Sequence, residues 1–245
     1  MRRWLLIALC LTPLAAGATA CANKAVAPAH NNLTALPAGT ENLGIVSGDI
    51  ILTGRLFAGD NDTVVILSHM RPNDQTAWFP FAQELAGAGY AALTFNFRGY
   101  SDSGGSQDYS KLDDDLEAVI SYMRDRGKQR IFLIGASMGA TTSLVVGERE
   151  DVAGIVAISP PAKFDSQDAL DAVPRVTAPK LFIASEDDAP ALNFDTLVGA
   201  AAEPKEEEVY PGIAHGTDLF DPGKNSEAAA VGERILQFLE EQGGP

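Results

Sequence analysis

Gly135-Ala136-Ser137-Met138-Gly139 sets one hydroxyl between two glycines. A serine hydroxyl is a weak nucleophile at neutral pH; it needs an adjacent base, and the base needs an acidic partner that fixes its tautomer. Of the histidines, His30 lies in an N-terminal stretch rich in Ala, Asn and Pro, and His69 follows an early apolar run. His215 stands near the C-terminus in Gly212-Ile213-Ala214-His215-Gly216. Between serine and histidine, the run Leu181-Phe182-Ile183-Ala184-Ser185 ends in Glu186-Asp187-Asp188, which leaves Asp187 and Asp188 as candidate acids. A hydroxyl, an imidazole and a carboxylate in one line perform acyl transfer through an acyl-enzyme, on an ester or a related acyl bond, and need neither metal nor organic cofactor.

Each of these signals has a bland counterpart. A G-x-S-x-G string arises by chance, a C-terminal histidine can belong to a surface loop, and an acidic cluster is often a solvated turn. What favours chemistry is position: the motif falls between the apolar run Ile131 to Ile134 and a small-residue helix from Met138 to about Glu148, so the chain must turn sharply at Ser137.

The elements that must carry these residues alternate along the chain. Ile45 to Phe57 is expected to form a hairpin, and Thr63 to Leu67 a strand buried on both sides. A helix over Trp78 to Gly87 and a strand over Ala91 to Phe97 follow. Leu112 to Arg126 is an amphipathic helix with Leu112, Leu116, Val119, Ile120 and Met123 on one face. Strands are expected at Val152 to Ser159, Lys180 to Ala184 and Glu207 to Tyr210, with a closing helix over Ala228 to Glu241. The pattern implies a mostly parallel, twisted sheet of about 7–8 strands with helices on both faces. Residues 160–179 are too few for a large helical lid, so Pro160 to Phe164 are expected to rim an open site suited to short or extended acyl groups.

At this point the chain resembles the α/β-hydrolases, particularly bacterial members grouped as dienelactone-hydrolase-like and serine-aminopeptidase-like, over about Ile45 to Phe238. The order nucleophile, acid, histidine is theirs. So are Leu67-Ser68-His69-Met70-Arg71, where relatives often have His-Gly-X, and Asn96-Phe97-Arg98-Gly99-Tyr100-Ser101-Asp102-Ser103, where many have Asp-X-Arg-Gly-X-Gly-X-Ser. Met70 and Asn96 depart from the pattern. The resemblance implies a carboxylesterase-like serine hydrolase with Ser137, His215 and Asp188 as its triad, Asp187 being the alternative acid. It also implies an oxyanion hole from the backbone N–H groups of Met138 and Arg71, with Met70 as the alternative to Arg71. His69 and Arg98 are expected to brace loops. A peptidase or amidase with the same triad, and a non-catalytic binding protein of the same fold, are the competing readings. Ser137 argues against the cysteine chemistry of dienelactone hydrolases proper and the aspartate chemistry of epoxide and haloalkane hydrolases.

Composition bounds the partners. Eighteen Lys and Arg against 33 Asp and Glu give a net charge of −15, which repels nucleic-acid phosphates and anionic membranes and suits a neutral or cationic small-molecule substrate. Arg2 and Arg3, the apolar stretch Trp4 to Ala16 and Ala18-Thr19-Ala20 form an export signal over residues 1–20. Cys21 follows directly, an arrangement similar to a bacterial lipoprotein signal, with Ala18 where such signals usually carry Leu. Lipid attachment at Cys21 and ordinary secretory cleavage nearby are the two expected outcomes, placing the protein in the periplasm or cell envelope. The other cysteine, Cys10, falls within the signal, so an internal disulfide and a cysteine metal cluster are excluded. Residues 21–42 are expected to be a tether, and 43–245 the folded domain.

Overall fold

The computed structural model describes residues 39–59, 62–191 and 193–244. The expected export signal, Cys21 and most of the expected tether lie outside the described residues. The chain opens with a hairpin, β1 (Thr40–Ser47) and β2 (Ile50–Phe57), followed by β3 (Thr63–Ser68), α1 (Phe79–Gly87) and β4 (Ala91–Phe95). Next come α2 (Leu112–Asp125), β5 (Arg130–Ala136), α3 (Met138–Val146) and β6 (Gly154–Ile158). A two-residue hairpin, β7 (Lys163–Phe164) and β8 (Gln167–Asp168), leads into the single turn α4 (Ala169–Ala172). The chain closes with β9 (Lys180–Ser185), α5 (Phe194–Ala200), β10 (Lys205–Tyr210) and α6 (Ala228–Glu241).

Eight strands form one sheet in the order β1-β2-β4-β3-β5-β6-β9-β10, antiparallel at β1/β2 and β2/β4 and parallel from β4 to β10. Every residue of β3, β4, β6 and β9 is buried, which is why these segments read as continuous apolar runs rather than alternating ones. Two cores lie on opposite faces of the sheet. Leu116, Val119 and Ile120 of α2, Leu144 of α3 and Leu197 of α5 pack on one face. Phe81 and Leu85 of α1 and Ile235, Phe238 and Leu239 of α6 pack on the other. Each fully buried Leu or Phe contributes about 1.5–3 kcal/mol relative to exposure.

The edge strand β10 is charged, Lys-Glu-Glu-Glu at Lys205 to Glu208, which disfavours pairing with a foreign strand. Arg234 of α6 neutralises part of that charge through ion pairs to Glu206 and to Glu208, the latter at 3.8 Å. At the opposite edge β1 begins earlier than expected. Thr40, Glu41 and Asn42, assigned to the tether from sequence, pair with Phe57, Leu56 and Arg55. Their side chains face solvent on an edge strand, so no apolar periodicity marks them.

The topology fixes where a site can form. β3 lies between β4 and β5, so the connection out of β3 leaves to one side and the next returns across it to the other. The crevice at the carboxyl ends of β3 and β5 is therefore the switch point, the usual ligand position in such sheets. Residues 160–179 carry only β7, β8 and α4, so this connection holds no large helical lid.

Candidate active site

β5 ends at Ala136 and α3 begins at Met138, so a single residue makes the turn. Ser137 adopts φ 48°, ψ −113°, a conformation costing on the order of 1–3 kcal/mol for a residue with a side chain. Backbone contacts hold it: the Ser137 N–H donates to the Ile158 carbonyl at 2.8 Å, and its carbonyl accepts from the Thr141 N–H at 3.0 Å. The flanking glycines are needed for approach. A Cβ at Gly135 would lie 2.3 Å from the Gly139 carbonyl oxygen, and one at Gly139 would lie 2.3 Å from that of Ser68. The motif thus lets β5, α3 and the end of β3 meet backbone to backbone, with the Ser137 side chain at the edge.

The Met138 N–H lies in the first turn of α3, where helix N–H groups lack intrahelical partners and the dipole is positive. The loop after β3, the parallel neighbour of β5, carries Met70 and Arg71. The Met70 carbonyl accepts from His69 Nδ1 at 3.0 Å. In a trans peptide carbonyl and following N–H point oppositely, so the Arg71 N–H points away from the His69 ring.

Asp188 follows β9 with its side chain almost wholly buried, and its Oδ1 lies 2.7 Å from His215 Nδ1. This hydrogen bond puts the proton on Nδ1 and leaves Nε2 as the basic nitrogen. The imidazole's carboxylate contact is with Asp188 and not with the alternative Asp187, whose side chain is exposed and whose backbone N–H donates to the Gly212 carbonyl at 3.0 Å. Asp188 Oδ2 is buried and has no hydrogen-bond partner among the described residues. Among those residues no hydrogen bond joins Ser137 to His215; such contacts commonly tighten only when substrate binds. The next residue, Gly216, brings the histidine loop against the nucleophile strand: a Cβ there would stand 3.4 Å from Ala136 Cβ and 2.5 Å from Met70 Sδ.

Ser137 opens onto a cavity of about 490 Å³ lined by Pro161, Ala162, Phe164, Leu170 and Pro190, with the Lys163–Asp168 ion pair (3.1 Å) at its rim. The rim expected at Pro160 to Phe164 is thus found at Pro161 to Phe164. A larger cavity, about 570 Å³, is lined by residues of the segments 72–77 and 99–107 and does not include Ser137; Ser137, not size, marks the candidate site. Among the described residues no group of three His, Cys, Asp or Glu side chains could hold a metal ion.

The polar residues around the edge brace its loops. His69 is fully buried, and burial pushes its pKa down to about 4. The neutral ring donates from Nδ1 to Met70 and accepts at Nε2 from the Phe97 N–H at 3.2 Å, so neither nitrogen is free to act as a base. Arg98 pairs with the buried Asp115 at 2.6 Å, and Asp115 also accepts from the Ser47 hydroxyl and the Arg98 N–H. Asn96 accepts from the Gln75 N–H at 2.8 Å and donates to Thr53 Oγ1 at 3.1 Å. Several residues near the site have no part in the sequence reading of it, among them Asp115, Ser159, which holds the Gly216 N–H, and Ser185, which holds the Ala214 carbonyl. Asp115 sits on the apolar stripe of α2, a visible signal for a buried charge. Ser159 and Ser185 end apolar strands and carry no signal beyond that position.

The eight-stranded sheet, the switch-point crevice and the strand-serine-helix turn are those of the α/β-hydrolase fold, and the chain has this fold. The family model described as "Serine aminopeptidase, S33" matches residues 59–174. The chain is 28% identical over 221 residues to the uncharacterized protein Rv2307c of Mycobacterium tuberculosis, covering 79% of each protein. Among solved structures it superposes on the Pyrococcus furiosus esterase PF2001 with TM-score 0.70 and 20% identity, covering 84% of this chain and 91% of that one. The α/β hydrolase GrgF of Penicillium sp. sh18 gives 0.73 and 16%, covering 84% and 99%.

A pH dependence follows from His69. Its folded-state pKa is depressed from 6.5 to about 4, so the unfolded chain takes up the proton first. Stability present above pH 6.5 is lost as pH falls towards 4, by on the order of 3 kcal/mol in total. Urea unfolding across this range should show the loss, and His69→Gln should flatten it while lowering stability at pH 7. An unchanged slope in the variant would contradict the assignment.

Proposed function

We propose that the protein is a serine hydrolase that cleaves a carboxylic ester or a related acyl bond. The observation that carries this reading is the 2.7 Å Asp188–His215 hydrogen bond at the sheet edge where Ser137 stands in its strained turn. His215 Nε2 takes the Ser137 proton as Oγ attacks the acyl carbonyl, and the developing oxyanion is held by the N–H groups of Met138 and Arg71. Arg71 is preferred to Met70 because the Met70 carbonyl accepts from His69, so the N–H that follows it points away from that ring. One such donor is worth on the order of 3 kcal/mol in the transition state. The tetrahedral intermediate collapses as His215 returns the proton to the leaving alcohol. Water, deprotonated by the same nitrogen, then releases the acid and frees Ser137.

The apolar cavity under an open rim suits short or extended acyl groups. An ester substrate is further supported by likeness to the Pyrococcus furiosus esterase and, with TM-score 0.68 at 16% identity, to a Paleococcus ferrophilus monoacylglycerol lipase. A second reading, cleavage of an aminoacyl amide, is favoured by the description of the matching family model. A binder that merely keeps the fold has no use for a buried carboxylate aligned on an imidazole. Residues 1–21 support a protein exported to the cell envelope and lipid-anchored through Cys21.

A fluorophosphonate probe should label the wild type and not Ser137→Ala. Short p-nitrophenyl esters should turn over, with kcat falling by about four orders of magnitude in Asp188→Asn; faster cleavage of aminoacyl-nitroanilides would favour the amidase reading, and labelling of Ser137→Ala would sink both. Mass spectrometry of the mature N-terminus should find a lipid on Cys21. An unmodified thiol or cleavage elsewhere would exclude the anchor.

A further inference from the structure

His215 sits in a loop that two buried hydroxyls grip from either side. Ser185, the last residue of β9, donates from Oγ to the carbonyl of Ala214 at 2.7 Å. Ser159, directly after β6, accepts at Oγ from the N–H of Gly216 at 2.8 Å. The peptide groups before and after the imidazole are therefore both tied to the ends of neighbouring parallel strands. Those strands also carry the rest of the site: β9 leads to Asp188, and the Ile158 carbonyl of β6 accepts from the Ser137 N–H.

Ser159 is held at a backbone cost. It is fully buried at φ 52°, where glycine is at ease and a residue with a Cβ is strained. Its own N–H is committed to the Ile183 carbonyl at 2.7 Å. A glycine would satisfy the backbone better and would lack the hydroxymethyl group, whose Oγ accepts from the Gly216 N–H, so the strain is offset by what the hydroxyl holds.

We propose that Ser159 and Ser185 are positioning residues for His215, a pair of hydroxyls that fix its flanking peptides and so keep Nδ1 on Asp188 and Nε2 towards Ser137. The inference rests on the reading of His215 as the catalytic base. Both serines are buried, with their hydroxyls bonded to the backbone of the histidine loop. Their contribution is the reduced freedom of the imidazole, so their loss lowers kcat and leaves KM unchanged.

The test compares Ser159→Gly, Ser185→Ala and the hydroxyl-retaining Ser185→Thr with the wild type. Ser159→Gly removes the hydroxyl while relieving backbone strain, so the fold survives. Three quantities are measured: the melting temperature, the rate of fluorophosphonate labelling of Ser137, and the downfield proton resonance of His215 Nδ1–H in its hydrogen bond to Asp188. Expected are roughly tenfold slower labelling in Ser159→Gly and Ser185→Ala, the scale of one lost hydrogen bond, with the resonance broadened, and recovery of both in Ser185→Thr. Labelling rates and resonances equal to wild type in both hydroxyl-less variants, or losses that simply follow the melting temperature, would overturn the inference. If the wild type resists the probe yet shows a resonance that the variants lose, the positioning role stands and the hydrolase reading fails. A wild type with neither label nor resonance overturns both.

Discussion

The turn at Ser137 is the constraint around which this molecule is built. A parallel strand buried on both faces must hand the chain to a helix within one residue. That is sterically open only because Gly135 meets the Gly139 carbonyl and Gly139 meets Ser68 with no Cβ between them. The turn forces a left-handed backbone on Ser137 and puts the first N–H groups of α3 and the end of β3 beside one another. The position of β3 and β5 at the switch point puts the turn at that edge, and the short connection across residues 160–179 adds only β7, β8 and the single turn α4 beside it.

Around the turn, stability is spent on holding loops still. A buried neutral histidine carries both hydrogen bonds that its ring allows, one to each of the loops after β3 and β4. A buried carboxylate collects Arg98, the Arg98 N–H and Ser47, tying the loop after β4 to α2 and to the opening hairpin. Groups so buried are costly unless every partner is supplied, and two atoms beside the turn, Asp188 Oδ2 and Ser68 Oγ, have no partner among the described residues. The other Asp188 oxygen is the one that faces the imidazole.

Much of this was legible in the sequence, for a physical reason. Strands covered on both faces admit few polar residues, so β3, β6 and β9 announced themselves as apolar runs, and the stripe on α6 matched its helix residue for residue from Ala228 to Glu241. The structured start of β1 was missed because an exposed edge strand has no such pattern. α5 was missed because one seven-residue helix shows only Phe194, Leu197 and Val198 as its apolar face. Adjacent aspartates differ by which way the chain turns after Ser185, which spacing does not encode, and this left Asp187 open beside Asp188. The grip of Ser159 and Ser185 on the histidine loop joins residues far apart in sequence, and no local signal announces it.

The proposed hydrolysis requires the imidazole of His215 to serve the hydroxyl of Ser137. A crystal structure of the protein after reaction with a fluorophosphonate tests this most directly. The expected result is phosphorus bonded to Ser137 Oγ, with a phosphonyl oxygen about 3 Å from the Met138 and Arg71 N–H groups, His215 Nε2 within hydrogen-bond reach of Ser137 Oγ, and the Asp188 contact intact. An adduct on another residue, or an adduct on Ser137 with His215 turned away from it, would contradict the account.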